Sequence, residues 1–223
     1  MHIPDGFIDI KTSAAFAAAS AVAVAGAVKG ARRQLSEQSA PLAGLTAVFI
    51  FAVQMLNFPV AAGTSGHLIG AALAMVLVGP YAATLALVVV LIIQAFLFAD
   101  GGLTALGLSI FNMAVISVWV SFAVFMLMKK IFPKTKSWLV IATFVSALIS
   151  VPAAAVGFVI QYAIGANATF SVSAVLNAMV GTHIIIGIGE AIITALTVSA
   201  VLASRSDLVF GWDRKNTTLE IRS

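Results

Sequence analysis

The 223 residues contain no cysteine, which excludes a disulfide framework, a thiolate metal site and an iron–sulfur cluster. Charge is almost as scarce. Asp, Glu, Lys and Arg make up 9% of the chain, against about 25% in an ordinary soluble domain. Stretches 38–99, 101–128 and 137–189 contain none of them, and a membrane helix needs roughly 20 such residues. The chain has no G-x-x-x-x-G-K-[ST] phosphate loop, so ATP hydrolysis would belong to another subunit. It has no H-E-x-x-H pair either, which removes the usual zinc protease. What remains is 61% hydrophobic, with a mean hydropathy of +1.12. That composition describes an all-α integral membrane protein, a single polytopic domain over residues 1–223 with no room for a soluble catalytic domain.

Seven apolar spans are predicted, over 13–28, 42–58, 63–79, 81–99, 104–128, 138–164 and 172–203. The third ends at Gly79-Pro80 and is short and Gly-rich, so irregular backbone is expected at its His67 end. Such backbone is tolerated at membrane depth only where protein or a cavity surrounds it. Basic residues set the orientation. Lys29, Arg32 and Arg33 follow the first span. Lys129, Lys130, Lys134 and Lys136 separate the fifth and sixth, and Arg205, Arg214, Lys215 and Arg222 follow the seventh. An odd count of seven puts all of these on the cytoplasmic side, with a cytoplasmic tail at 204–223. The net charge of +4 is therefore topological and does not mark a nucleic-acid surface. The N-terminus, His67, the Asp100-Gly101-Gly102 loop and 165–171 then face outward, in a multi-pass membrane protein.

Met1-His2 carries the sharpest chemistry. A His in second position offers a divalent ion the α-amine of Met1, its own amide nitrogen after proton loss, and its imidazole. Fused chelate rings hold these three nitrogens near one plane, which suits Ni(II) and Cu(II). Asp5, Asp9 and Lys11 precede the first apolar run, unlike a signal peptide. His is too large for routine removal of the initiator Met, so an intact amine is expected. His67, in Gly63-Thr64-Ser65-Gly66-His67, reads alone either as a hydrogen-bonded structural residue or as a ligand. Beside an outward-facing Met1-His2 it becomes a candidate fourth nitrogen, closing a planar set with no position left for catalysis. A planar site with a deprotonated amide favours Ni(II) over Co(II), and Cu(II) over both.

Other polar residues have competing readings. His183 and Glu190 share one face of the last span, roughly 10 Å apart, as a proton relay or, preferably, as polar contacts that tie helices together. Asp5 can orient an imidazole or bind loop backbone; Asp5 and Asp9 can also cap a helix. Asn57, Gln94 and Asn112 suit interhelical hydrogen bonds, and Asn112 can also lock a metal-site loop. Gly63-Thr64-Ser65-Gly66 has the G-x-S-G shape of rhomboid intramembrane proteases, with His183 as base for Ser65. That four-residue shape arises readily in a chain with 17 glycines and leaves Met1-His2 unexplained. A stand-alone ion-coupled carrier would rest on Glu190.

Four motifs carry a family resemblance. Met1-His2-Ile3-Pro4-Asp5-Gly6-Phe7, Gly63-Thr64-Ser65-Gly66-His67-Leu68, Phe98-Ala99-Asp100-Gly101-Gly102-Leu103 and Phe111-Asn112-Met113 resemble the CbiM/NikM family over nearly the whole chain. The resemblance implies a substrate-binding subunit of an energy-coupling factor transporter for cobalt and nickel. It implies seven helices, with an extracytoplasmic N-terminus inserted into the helical body and residues 1–12 forming the metal-binding segment. Coordination by the Met1 amine, the His2 amide, the His2 imidazole and the His67 imidazole follows from it. So do the partners: a transmembrane coupling subunit, cytoplasmic ATPases and a small accessory membrane protein. No cofactor is implied; Ni(II) or Co(II) is the substrate. Ala15, Ala19 and Ala23 are spaced for close packing against a partner helix.

Overall fold

Long apolar runs bounded by cap residues become long helices. The computed structural model describes residues 1–34, 40–60, 64–133, 135–210 and 212. Its helices are α1 (Ile10–Gln34), α2 (Ala40–Gln54), α3 (Ala71–Leu97), α4 (Leu106–Ile110), α5 (Ser117–Ile131), α6 (Lys136–Gly165) and α7 (Val172–Ser204). Phe111–Ile116 joins α4 to α5 as a π-helical turn, so the three form one continuous rod. Five helical stretches are long and apolar enough to cross a membrane, and α2 is a shorter apolar sixth. Side chains start the helices where the first N–H groups lack partners. Asp9 accepts from the Thr12 amide at 3.0 Å and the Thr12 hydroxyl at 2.8 Å. Thr135 accepts from Trp138 N–H and Ser171 from Ala174 N–H.

The expected third and fourth spans form one helix with a break. Gly79 sits at φ 80, ψ 166 inside α3, a backbone state that only glycine adopts freely. Pro80 then has no N–H to give the carbonyl four residues back. That carbonyl, on Val76, accepts instead from Phe210 N–H at 2.7 Å, so the chain beyond α7 satisfies the break. Residues 71–78 rise about 12 Å, well short of a ~30 Å hydrocarbon core. Residues 64–70 are not helical, and Gly70 takes a left-handed φ of 78 before Ala71, so the irregular backbone expected at the His67 end is present. A small antiparallel hairpin, β1 (Phe58–Val60) and β2 (Thr64–Gly66), precedes α3 with Pro59 opposite Ser65. Helix α2 accordingly ends at Gln54, short of the expected Phe58. Gly63, Lys134, Arg214, Lys215 and Arg222 lie outside the described residues.

The two ends of the bundle differ in what they gather. At one end the N-terminal segment meets the loops at 98–105 and 165–171. Asp9 N–H donates to the Gly165 carbonyl at 2.7 Å, Asn167 N–H to Phe7 at 3.1 Å and Gly102 N–H to Ile3 at 2.8 Å. The Phe7 ring packs on Tyr162 and Phe158, with centroids at 5.2 and 6.0 Å. At the other end lie the Gly79 break, the last turns of α1 and α5 with Arg32, Arg33, Lys129 and Lys130, and the start of α6. There Lys136 Nζ donates to the Leu202 carbonyl at 2.9 Å. Among the described residues the basic side chains thus gather at the end opposite the N-terminus, Lys11 excepted. Ala15 and Ala19 are exposed on α1.

Candidate metal centre

Residues 1–9 enter the bundle instead of lying over it. Met1 and Ile3 are fully buried, and His2 retains 4% exposure. Two loops hold this segment from opposite sides. From the first, Gly102 binds Ile3, and Asp5 accepts from the Leu103 and Thr104 amides at 3.2 and 2.8 Å and from the Thr104 hydroxyl. From the second, Gly165 and Asn167 bind Asp9 and Phe7. Ile3 N–H also meets Ser109 Oγ at 3.4 Å. These contacts fix a chain end that would otherwise fray.

The His2 and His67 rings lie face to face at that end, with centroids 4.9 Å apart and planes inclined by 30°. His67 is fully buried. Its Nδ1 faces the Leu68 carbonyl at 2.8 Å. A carbonyl only accepts, so Nδ1 carries the proton and Nε2 carries the lone pair. That Nε2 is buried with no hydrogen-bond partner among the described residues. His2 Nε2 lies 3.5 Å from Asp100 Oδ2, which leaves Nδ1, the nitrogen that closes a six-membered ring with its own amide, on the opposite edge. Asp100 is steadied by Asn57 Nδ2 at 3.1 Å. Gly101 packs on His2: at φ +89 a Cβ there would stand 3.0 Å from His2 Cβ.

Electrostatics keep the nitrogens unprotonated. Burial lowers the Met1 amine from 8.0 to about 4, against the opposing pull of the Asp100 carboxylate. Burial, then repulsion from that amine, lowers the His2 imidazole to about 2. Burial raises Asp100 above the usual carboxylate value. Neutral amine and imidazole nitrogens at pH 7 are donors ready for a metal ion, with no proton to displace. Among the described residues no three His, Cys, Asp or Glu side chains gather to hold a metal. Two of the four candidate donors here are main-chain nitrogens, which no count of side chains registers.

The other sequence candidates sit elsewhere. Asp5 binds the loop backbone at Leu103 and Thr104 and the Thr104 hydroxyl. Hydrogen bonds, first from the Thr104 side chain, hold its carboxyl below 3.8. Asn112, in the π-helical turn, donates to Gln161 Oε1 at 2.7 Å. His183 is fully buried, with Nδ1 on the Met179 carbonyl of its own helix at 2.7 Å. Ser65 falls in β2, and its side chain lies outside the described residues. Glu190 does not meet His183. It accepts instead from the Ile69 and Gly70 amides at 2.6 and 3.0 Å. Gln94 makes no hydrogen bond with its buried carboxamide among the described residues, contrary to expectation. Asp100 is the residue at the centre that sequence reasoning placed on the right end without a role. Its signal was the adjoining Gly-Gly, which lets the loop close on His2.

Residues 2–208 match the family model described as the cobalt uptake substrate-specific transmembrane region. A Haloquadratum walsbyi protein whose name assigns it to metal transport is 39% identical, over 94% of each chain. The fused nickel transport protein NikMN of Rhodobacter capsulatus is 42% identical over 57% of this chain and 37% of its own. The crystal structure of a truncated transition metal transporter superimposes with a TM-score of 0.84 at 32% identity, covering 91% of this chain and 99% of the other.

Proposed function

The chain belongs to the CbiM family of cobalt uptake transmembrane regions, and on that premise we propose that it captures Ni(II) or Co(II) outside a prokaryotic plasma membrane for ATP-driven uptake. It is a multi-pass membrane protein of a cobalt and nickel transport family. The observation that carries the reading is the burial of Met1 beside the His2 and His67 rings, 4.9 Å apart. The donors are the Met1 amine, the His2 amide nitrogen, His2 Nδ1 and His67 Nε2. A set of four nitrogens near one plane completes the coordination and leaves no open position for a reacting water. The protein on this reading binds and hands over an ion, without turnover of its own.

The remaining expectations extend the same reading. Residues 71–78 count as a half-length third pass, giving seven passes. The N-terminal end then faces outward, and the basic end and the tail at 204–223 face the cytoplasm. Energy comes from partners: a transmembrane coupling subunit, cytoplasmic ATPases and a small accessory membrane protein. The absence of a phosphate loop in the sequence supports that division of labour.

The test is metal analysis of the purified, untagged protein, with its N-terminus verified by intact mass, under competing Ni(II) and Co(II). One equivalent of metal is expected. His67→Ala should lose more than the roughly 10–100-fold in affinity that outer-shell changes cost, while Ser65→Ala should retain full binding. Full occupancy in His67→Ala would overturn the assignment.

A further inference from the structure

The peptide between Leu68 and Ile69 is bonded at both of its polar ends. Its carbonyl, on Leu68, accepts from His67 Nδ1 at 2.8 Å. Its N–H, on Ile69, donates to Glu190 Oε2 at 2.6 Å. The next peptide is held in the same way. Its carbonyl, on Ile69, accepts from Gln54 Nε2 at 2.7 Å, and its N–H, on Gly70, donates to Glu190 Oε1 at 3.0 Å. Helix α7 thus grips two successive amides while α2 grips the carbonyl between them. Gln54, His67 and Ile69 are fully buried, and Glu190 is 2% exposed, so these groups are withdrawn from bulk solvent.

We infer that Glu190 is a positioning residue for the metal centre, acting on the His67 imidazole through the planar Leu68–Ile69 peptide, and that this clamp sets the preference for a metal of planar geometry. The inference rests on the capture reading above. Metal-binding imidazoles are commonly oriented by a carboxylate on their other nitrogen. Here a rigid peptide unit stands between carboxylate and ring. A carboxylate that draws on the Ile69 N–H polarises the amide and makes the Leu68 oxygen a stronger acceptor. That oxygen fixes the His67 tautomer, ring angle and basicity. With two peptides held, His67 Nε2 cannot swing out of the plane of the other three nitrogens. Metals that accept that plane, Ni(II) and Cu(II), gain over metals that prefer other geometries.

The experiment compares untagged wild type, His67→Ala, Glu190→Gln and Gln54→Met. It measures Ni(II) affinity, the Ni(II)/Co(II) competition ratio, the visible absorption of the bound Ni(II) and the melting temperature of the metal-free protein. Gln at 190 keeps shape but turns an amide NH2 toward one of the two N–H donors. The expected result is a loss of about 10–100-fold in Ni(II) affinity, a competition ratio moved toward Co(II), and a planar absorption band that shifts or fades. A residue that serves the fold alone would move the melting temperature and leave ratio and band unchanged; that result overturns the inference. If Glu190→Gln cannot be recovered from the membrane, Gln54→Met removes the second grip and is measured by the same ratio and band. An unchanged ratio and band in that variant overturn the inference equally. Wild type without Ni(II), or His67→Ala that still binds it, would strike the capture reading instead.

Discussion

The two ends of this bundle are both built around an interrupted backbone, and they resolve it in opposite ways. At the basic end the interruption is covalent: Gly79 turns the chain and Pro80 deletes a donor. One main-chain bond, Phe210 to Val76, supplies the partner that Pro80 cannot. At the N-terminal end the interruption is left incomplete. Loop after loop is bonded, yet His67 Nε2 stays buried without a partner among the described residues. A buried polar atom without a hydrogen bond costs about 1–3 kcal/mol, and this one belongs to the ring beside His2, where on the capture reading a metal ion supplies the missing interaction. On the capture reading, the contrast separates an interruption that serves packing from one that serves a ligand.

Four changes test that contrast, in falling order of effect. One extra alanine before Met1 moves the amine and pushes His2 out of second position. Isothermal titration should then find no high-affinity Ni(II) site, while the same residue added after Ser223 should leave binding intact. Next, Gly101→Val places a branched side chain at φ +89 against His2. A fall of about 10–100-fold in Ni(II) affinity is expected, and an unchanged constant would mean the loop does not position His2. At the other end, Gly79→Ala forces a Cβ into a glycine-only conformation and should cost about 1–3 kcal/mol. Denaturation should register that loss while the folded fraction binds Ni(II) as before. Weaker metal binding there would erase the distinction between the ends.

The smallest effect is pH-dependent. Hydrogen bonds from Thr104 and Leu103 hold Asp5 below 3.8 in the folded chain, so the unfolded chain binds the proton more readily. The stability that Asp5 contributes is present above pH 3.8 and is lost as pH falls through the lower folded value. Proteolysis near the N-terminus should accelerate across that acid window, and Asp5→Asn should flatten the change. An identical acid profile in the variant would show that Asp5 does not fasten the segment.

Much of this was legible in sequence because membrane helices announce themselves by composition. The charge-free stretches and the basic clusters located the long helices and gathered the charged turns at one end. That Met1-His2 and His67 would meet at one end was legible from the charge map. The break at Gly79-Pro80 was read correctly as a boundary, but the helix before it is only residues 71–78. Hydropathy cannot distinguish an apolar strand or extended segment from an apolar helix turn, so 63–70 was counted within a span, although its glycines marked the His67 end as irregular. Glu190 was conspicuous as the lone carboxylate in the apolar spans, yet its partners are main-chain amides. Every residue but proline has such an amide, so sequence gives no clue to which one a carboxylate will find.

The grip of Glu190 on Ile69 and Gly70 also imposes an order on synthesis. Residues 71–78 are too short to enter a bilayer alone, and the amides before them have no helical partners. Their carboxylate lies on α7, downstream of every other group of this frame. A nascent chain can carry Met1, His2 and His67 long before that, but their frame cannot be closed. On the capture reading, the centre therefore closes only after α7 has been made and inserted.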